Sequence, residues 1–388
     1  MADPKDYGTY SLDSATVISM PLVRGRMDVD FFAAPPAAAK LGGGVGGGNG
    51  GGNGGGTAKR KRLSDNFQTS NKKRKAIAPV PPPIHAAHNS VCVMDIGQGN
   101  CNLAIDNNNE PAFYYDVGFP LFFYTATAPT GLFAGAVPPG AGPILQNATG
   151  NLEVILSHWD WDHWRLAAIW PALAALPWTV PVQPVGGASL NFFNNNLPLC
   201  NVLPVGGPTT VNYGNFTAYR AFPPVGAHPA MVINNTGIAL GLDTQLPLAA
   251  PASHQVVITG DANFDSLPAP FPLAPNITGI TAVHHGSNAH GAANNLPAPV
   301  APYGLVGRIA YSCGLSPNGY RPYGFPNALA IPNYQAAGWN APHEMDTPEG
   351  AGIRTGVQNW GNIRMGSQAP LPPAYNTTAF FNFPHALT

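Results

Sequence analysis

From Ala76 to the C-terminus the sequence contains no lysine. That part has six arginines against 13 Asp+Glu, a balance of −7. Residues 1–75 hold 12 Lys+Arg against 6 Asp+Glu, a balance of +6, and the whole chain stands at −1. Charged residues make up only 10% of 388, so the larger part of the chain is a poor surface for a long polyanion. Long apolar runs are also missing. None reaches the ~18–20 residues that span a bilayer as a helix, and no basic-then-apolar leader opens the chain. A cytoplasmic protein without a membrane anchor is the expectation. The four cysteines, Cys92, Cys101, Cys200 and Cys313, show no Cys-x-x-Cys spacing, which argues against a thiolate metal cluster or a disulfide scaffold. Reduced, mostly buried thiols are expected. What abounds is glycine (45) and proline (43), so turns and loops should be many and helices few and short.

Hydrophobic residues at 45% are enough for one sizeable core. Composition divides the chain into a tail, 1–87, and a folded domain, 88–388. Within the tail, 42–56 is almost entirely Gly, with Asn49 and Asn53, and cannot bury a core. Two basic runs follow, Lys59-Arg60-Lys61-Arg62 and Lys72-Lys73-Arg74-Lys75, and the prolines of 79–83 stiffen the entry to the domain. The tail is expected to be disordered. Its basic block admits three readings: nucleic-acid binding by phosphate neutralisation, a bipartite nuclear-import signal, or a solvated tail that keeps a weakly charged protein soluble.

Chemistry concentrates in Ser157-His158-Trp159-Asp160-Trp161-Asp162-His163-Trp164. Four metal-binding side chains fall within six residues, directly after the strand-like run Val154-Ile155-Leu156. In an extended chain 158, 160 and 162 share a side, and a change of direction at the strand end brings in His163. Imidazole and carboxylate suit zinc, manganese or iron. Two buried aspartates would be costly without a cation. Three further apolar runs end in comparable residues: 113–118 in Asp116-Val117-Gly118, 256–261 in Gly260-Asp261, and 280–287 in His284-His285-Gly286-Ser287. Such strands point to one sheet edge where the ligands meet. Trp159, Trp161 and Trp164 either pack in the core or line a cleft and stack on a base or sugar.

Strands are expected at 91–94, 102–105, 112–115, 154–156, 256–259, 279–283 and 308–312, and helices from His163 to Leu173 and over 327–337. The Pro-rich stretches 120–145 and 291–303 read as loops.

The order of these motifs, with Asp95-Ile96-Gly97-Gln98-Gly99 ahead of them, resembles the metallo-β-lactamase superfamily. Within it the chain is similar to the branch that contains the hydrolase domain of the competence protein ComEC. Two further segments support this: Asn234-Asn235-Thr236-Gly237-Ile238-Ala239-Leu240, and Ser312-Cys313-Gly314 with Asn318-Gly319-Tyr320 and Tyr323-Gly324-Phe325-Pro326. The resemblance covers about residues 88–365. It implies a four-layered αββα sandwich of mixed α/β class and a phosphodiesterase or nuclease using two divalent ions, Zn2+ or Mn2+. Competence proteins carry this domain in a transport channel, and here it is expected to stand alone.

The implied ligands are His158, Asp160, Asp162, His163, Asp261, His284 and His285. His158 and Asp160 would hold one ion with a third ligand not identified. Asp162, His163 and one of the tandem histidines would hold the other, with Asp261 bridging. Near Asn234, where the superfamily often has a histidine, this chain has none, although His228 and His254 are within reach in sequence. Asp162, His163 and His285 are the catalytic candidates, with His285 or His290 protonating the leaving group, and Ser287 and Asn288 contacting a phosphate oxygen. Two departures from the branch pattern stand out. Asn100 replaces an Asp in a supporting position, and Phe325 replaces the His of Gly-His-Pro. A small-molecule esterase, lactonase or phosphodiesterase, and a metal-binding adaptor with a weakened site, are the alternative functions.

Overall fold

A computed structural model describes residues 7–11 and 17–21 and most of 88–366. Segments 120–151, 204–209, 224–228, 245–253, 269–275, 300–306, 314–323, 340–343 and 347–362 lie outside the described residues, as do a few single positions and the chain after 366. β1 (Tyr7–Ser11) and β2 (Val17–Pro21) pair antiparallel as a ribbon of their own. This ribbon falls within the tail expected to be disordered. The basic block and the glycine run lie outside the described residues.

The remaining strands start with β3 (His88–Val93), β4 (Cys101–Asp106), β5 (Pro111–Val117), β6 (Val154–Ile155), β7 (Trp178–Pro181) and β8 (Cys200–Leu203). Then come β9 (Thr210–Asn212), β10 (Phe216–Arg220), β11 (Ile238–Thr244), β12 (His254–Ile258), β13 (Asn276–Thr281), β14 (Arg308–Tyr311), β15 (Glu344–Asp346) and β16 (Ile363–Met365). The helices are α1 (Trp161–Ile169), α2 (Pro171–Ala174), α3 (Gly187–Asn196), α4 (Pro229–Asn234) and α5 (Ile331–Ala336).

Ladders run β15-β14-β13-β12-β11-β3-β4-β5-β6-β7-β8, with β10 beside β11, β9 beside β10 and β16 beside β3. The path stays continuous at its middle through one parallel pairing, Thr244 of β11 with His88 of β3. On either side of it the strands form two sheets, and alternation along each strand shows how they pack. Val91 and Val93 of β3, Phe113 and Tyr115 of β5, and Ile155 of β6 share one apolar cluster with Leu240 of β11, Val256 and Ile258 of β12, and Ala310 of β14. That cluster is the filling between the sheets. Cys92, Tyr114 and Val154, from the other face of the first sheet, pack with Trp164 and Leu166 of α1 and Phe192 and Phe193 of α3. Val257, Ile280, Ile309 and Tyr311, from the outer face of the second, pack with Tyr334 of α5 and with Trp339. Three apolar layers separate four structural ones, so the domain is an αββα sandwich of mixed α/β class.

Two helix expectations need correction. The helix expected from His163 to Leu173 starts two residues earlier and breaks at Trp170, which is extended (φ −113°, ψ 99°). The cause is Pro171, which pushes its predecessor out of the helical region and opens α2 as that helix's first residue. The helix expected over 327–337 is shorter, Ile331–Ala336, preceded by a turn and carrying Pro332 in its first turn. The four cysteines are free, three of them buried. Among the described residues no helix is long and apolar enough to cross a membrane.

One polar contact pins the sheets together near the strand ends: the buried Tyr115 hydroxyl donates to the Ile238 carbonyl at 2.6 Å. Tyr115→Phe is expected to lower the unfolding free energy by about 1–2 kcal/mol, because it leaves a buried carbonyl unsatisfied. Chemical denaturation monitored by tryptophan fluorescence measures it.

Candidate metal centre

The parallel strands of the sandwich deliver their chemistry at their carboxyl ends, as open α/β sheets generally do. β5 carries Asp116 as its last residue but one and β6 leads to the 157–163 segment, both in the first sheet. β12 leads to Asp261 and β13 to His284-His285, both in the second. The expectation of a single sheet edge is therefore corrected: the ligands meet across the rim of the sandwich, four from the first sheet and three from the second.

The octapeptide is extended only as far as Asp160 (φ −70°, ψ 149°), and α1 begins at Trp161. Asp162 and His163 thus sit in a first helical turn and not on an extended strand. The positive end of the helix dipole favours an aspartate there. Backbone contact holds the turn in place. The Asp162 carbonyl accepts the Asn100 N–H at 3.0 Å, and a Cβ on Gly118 would lie 1.7 Å from that carbonyl oxygen. Only glycine permits this approach. On the opposite sheet, His284 (φ 49°), His285 (φ 56°) and Gly286 (φ 84°) are three successive left-handed residues. For two histidines that conformation is strained. The turn is fixed by the Val283 N–H donating to the Tyr334 hydroxyl and the His284 N–H to the Gly260 carbonyl.

The four imidazoles share one arrangement, with Nδ1 held from behind and Nε2 facing Asp261 or Asp162. His163 Nδ1 lies 2.8 Å from Asp116 Oδ2, and His285 Nδ1 lies 2.8 Å from the Ser312 carbonyl. Both partners are acceptors, so in the neutral imidazole Nδ1 carries the proton and Nε2 presents its lone pair. His158 Nδ1 is 3.0 Å from Ser157 Oγ, and His284 Nδ1 is 3.1 Å from the Asn234 amide nitrogen. Asp261 sorts the opposite nitrogens. Its Oδ1 is 3.2 Å from His163 Nε2 and 3.9 Å from His285 Nε2; its Oδ2 is 3.5 Å from His158 Nε2 and 3.3 Å from His284 Nε2. Asp160 Oδ2 lies 3.3 Å from His158 Nε2, and Asp162 Oδ2 3.3 Å from His285 Nε2.

These approaches are close, yet His158 Nε2, His163 Nε2, His285 Nε2 and Asp261 Oδ1 make no hydrogen bond although they are buried. Ligand atoms aimed at a shared space and not at one another fit a cation, and a neutral interior would not leave them so. Two trios, His158–His163–Asp261 and Asp162–His163–His285, hold their ligand atoms within 4.8 Å of each other. Charge agrees. Among the described residues no lysine or arginine pairs with Asp160, Asp162 or Asp261. Burial alone would push the Asp261 carboxyl upward. The imidazoles of His284, His163 and His158 outweigh it and hold the group well below the usual carboxylate range. For His163, burial opposes protonation, and the surrounding Asp261 and Asp116 carboxylates overcome it.

All seven expected ligand residues are therefore brought together. The other candidates fare differently. Ser287 is buried, and its hydroxyl accepts the Ala289 N–H at 2.9 Å, a turn contact that occupies it; Asn288 is half-buried beside it. His285 is enclosed between the Ser312 carbonyl and Asp162 and is buried. The side chains of His290 and His228 lie outside the described residues. His254 opens β12, at the far end of that strand from Asp261. The three tryptophans are buried. Trp159 donates to the Pro181 carbonyl at 3.1 Å, and Trp164 stacks on Phe192 at 4.6 Å, so packing accounts for them.

The sequence reading missed four supporting residues. Asp116 accepts from His163, from the Ser157 N–H and hydroxyl, and from Asn100 Nδ2 at 3.1 Å. Its only signal was an acid at a strand end. Ser157 was no more than the first letter of the octapeptide, and Ser312 and Asn234 lay in segments noted for resemblance alone.

No protein-family model and no curated protein sequence matches the chain. Among solved structures, the chain is similar to the metallo-β-lactamase fold protein YhfI from Bacillus subtilis, at 15% identity over 66% of this chain and 95% of that one, with a TM-score of 0.32. It is also similar to Zn2+-bound PqqB from Methylobacterium extorquens, at 10% identity over 66% and 97%, with a TM-score of 0.29. Both superpositions are loose. The four-layered order and the ligand cluster follow from contacts within this chain.

Asn100 also explains one departure from the branch pattern. Its amide donates to Asp116, where an aspartate would set two buried carboxylates face to face. Asn100→Asp is expected to cost about 1–3 kcal/mol, read from the urea midpoint at neutral pH.

Proposed function

We propose that this protein is a metal-dependent hydrolase of metallo-β-lactamase type, of the branch that contains the ComEC hydrolase domain, and that it cleaves phosphodiester bonds in nucleic acid. The observation that carries the reading is the convergence of buried, unpartnered imidazole nitrogens on the two oxygens of Asp261. His163, His285, Asp162 and Asp261 would hold one divalent ion, and His158, Asp160 and Asp261 the other. When bound, such ions would supply an activated water and offset negative charge on the substrate.

The chain's own residues set the approach. Asp162, His163 and His285 are fixed from behind by Asp116, Ser312 and the α1 turn, so they hold their positions as the substrate enters. Asp160 and His284 have side chains about a quarter exposed (28% and 27%) and form the open side. Phe325 stands against that side, with its ring 5.6 Å from His284 edge-on and 6.1 Å from His285 stacked. The basic runs Lys59–Arg62 and Lys72–Lys75 supply the long-range attraction for a polyanion that the body lacks.

A second reading, hydrolysis of a small ester, is favoured by that same ring and by the net charge of −7 after residue 75. An apolar wall in an acidic body suits a small, weakly charged substrate.

The test is an assay of the metal-reconstituted protein on single-stranded DNA, RNA and bis-p-nitrophenyl phosphate. Cleavage of the polymers, abolished by chelation and reduced at least about 100-fold by Asp261→Asn, is the expected outcome. Turnover of the small ester alone would favour the second reading, and metal binding without any turnover would leave an adaptor. Replacing Lys72, Lys73, Arg74 and Lys75 by alanine should flatten the salt dependence of single-stranded DNA binding by up to about 3 in log–log slope. An unchanged slope would remove the tail from the account.

A further inference from the structure

Of the aromatic side chains described beside the ligands, Phe325 is the one that is not buried. Trp159, Trp161 and Trp164, which flank the ligands in the octapeptide, are all buried. Phe325 packs against the outer apolar cluster that holds Tyr311 and Tyr334, yet it stays half-buried. Its ring stands edge-on to His284 at 5.6 Å and nearly parallel to His285 at 6.1 Å, with the planes 18° apart. Backbone contacts fix it there. The Asn327 N–H donates to the Gly286 carbonyl at 2.8 Å, and Pro326 lies so close that a Cβ on Gly286 would be 2.7 Å from its own Cβ. Gly286 directly follows the tandem histidines, so the ring keeps a set position relative to both imidazoles. Leu329, on the same turn, is 71% exposed and extends the apolar lip outward.

A benzyl ring offers neither a proton nor a charge, so it adds nothing to the hold on a phosphate. What it offers is a flat π face. In a phosphodiester of nucleic acid the flat, apolar partner nearest the phosphate is a base, one sugar away. A ring set beside the ligand imidazoles, and not among them, is placed for that base. Because it is held from behind, little freedom is lost when a flat group settles on it. We propose that Phe325 is a base-stacking platform, and that the substrate is an unpaired strand gripped by the base next to the scissile phosphodiester. The proposal rests on the hydrolase reading above and narrows it. In a duplex that base is already stacked and paired, and using the platform costs its extrusion. A single strand presents the face freely. Phe325 is thus a specificity residue, and the role expected of a tryptophan in the octapeptide falls to a ring on the opposite side of the cluster.

The test is calorimetry on the full-length, Zn2+-reconstituted chain with two ligands that share a phosphate: deoxyadenosine monophosphate, and deoxyribose phosphate, which lacks the base. The unaltered chain should bind the nucleotide at least about tenfold more tightly. Phe325→Ala should abolish that difference and leave the affinity for the sugar phosphate as it was. Phe325→Leu, which keeps apolar bulk without a planar face, should do the same, and Phe325→Trp should keep or enlarge the difference. Zn2+ content by elemental analysis should be equal in all of these proteins, which separates loss of the platform from loss of the centre. Equal affinity for the two ligands in the unaltered chain, or a preference that survives Phe325→Ala or Phe325→Leu, would overturn the inference. So would cleavage of a duplex as fast as its single strand, a result that leaves the hydrolase reading intact. A reconstituted chain that binds neither ligand would overturn both.

Discussion

Buried negative charge without an organic counter-ion is the constraint around which this domain is built. Asp116, Asp162 and Asp261 are each less than a tenth exposed, and their partners among the described residues are imidazoles, hydroxyls and amides. Carboxylates removed from water to this degree are held only by good hydrogen bonds or by a cation. Asp116 takes the first course. Ser157, His163 and Asn100 satisfy it, and it in turn fixes the tautomer of His163. Asp261 suits the second, since its buried Oδ1 faces imidazole nitrogens and is left without a hydrogen-bond partner. The two aspartates are therefore complementary, one closing the rear of the site and the other opening its front.

Much of the backbone cost of the fold is spent on keeping that arrangement. The 157–163 segment is wedged against Gly118, where no side chain could fit, and the tandem histidines sit in a conformation that histidine rarely adopts. Both features act at the carboxyl ends of strands in opposite sheets. The cluster can exist only when the sandwich is closed, and Tyr115, hydrogen-bonded across to Ile238, is part of what closes it.

How much of this was legible in the sequence depends on whether the signal was local. Apolar runs ending in ligand residues were readable because a strand buried on both faces has to be apolar throughout: 154–156, 256–259 and 279–283 each overlap an observed strand. The octapeptide was readable because its residue types are rarely adjacent without cause. The break at Trp170 could have been read, since Pro171 is in plain sight, but the helical spacing of Leu166, Ile169 and Leu173 masked it. Which strands belong to which sheet could not be read, because nothing local marks residues 88 and 244 as the single parallel pairing at which the two sheets meet. Nor could the roles of His284 and His285 be separated, since sequence order says nothing about which oxygen of Asp261 each would face. The roles of Asn100 and Phe325 make sense only in three dimensions. Asn100 is a donor to a buried carboxylate, and Phe325 is a wall against two imidazoles.

The lack of lysine after residue 75 is more than a compositional oddity when set beside this cluster. An ammonium group reaching Asp160 or Asp261 would pair with it and compete directly with any divalent ion, while its flexible stem would let it enter from some distance. Arginine carries a planar guanidinium that a carbonyl can hold, and among the described residues Arg220 is tied to the Val182 carbonyl and Arg308 to the carbonyl of Arg364. A domain that keeps its carboxylates free for cations does best without mobile positive charge near them. If its substrate is a polyanion, the attraction has to come from elsewhere in the chain. Under the proposed function, confining lysine to the first 75 residues would meet both demands, keeping ammonium groups from the carboxylates and placing positive charge on a separate stretch of sequence.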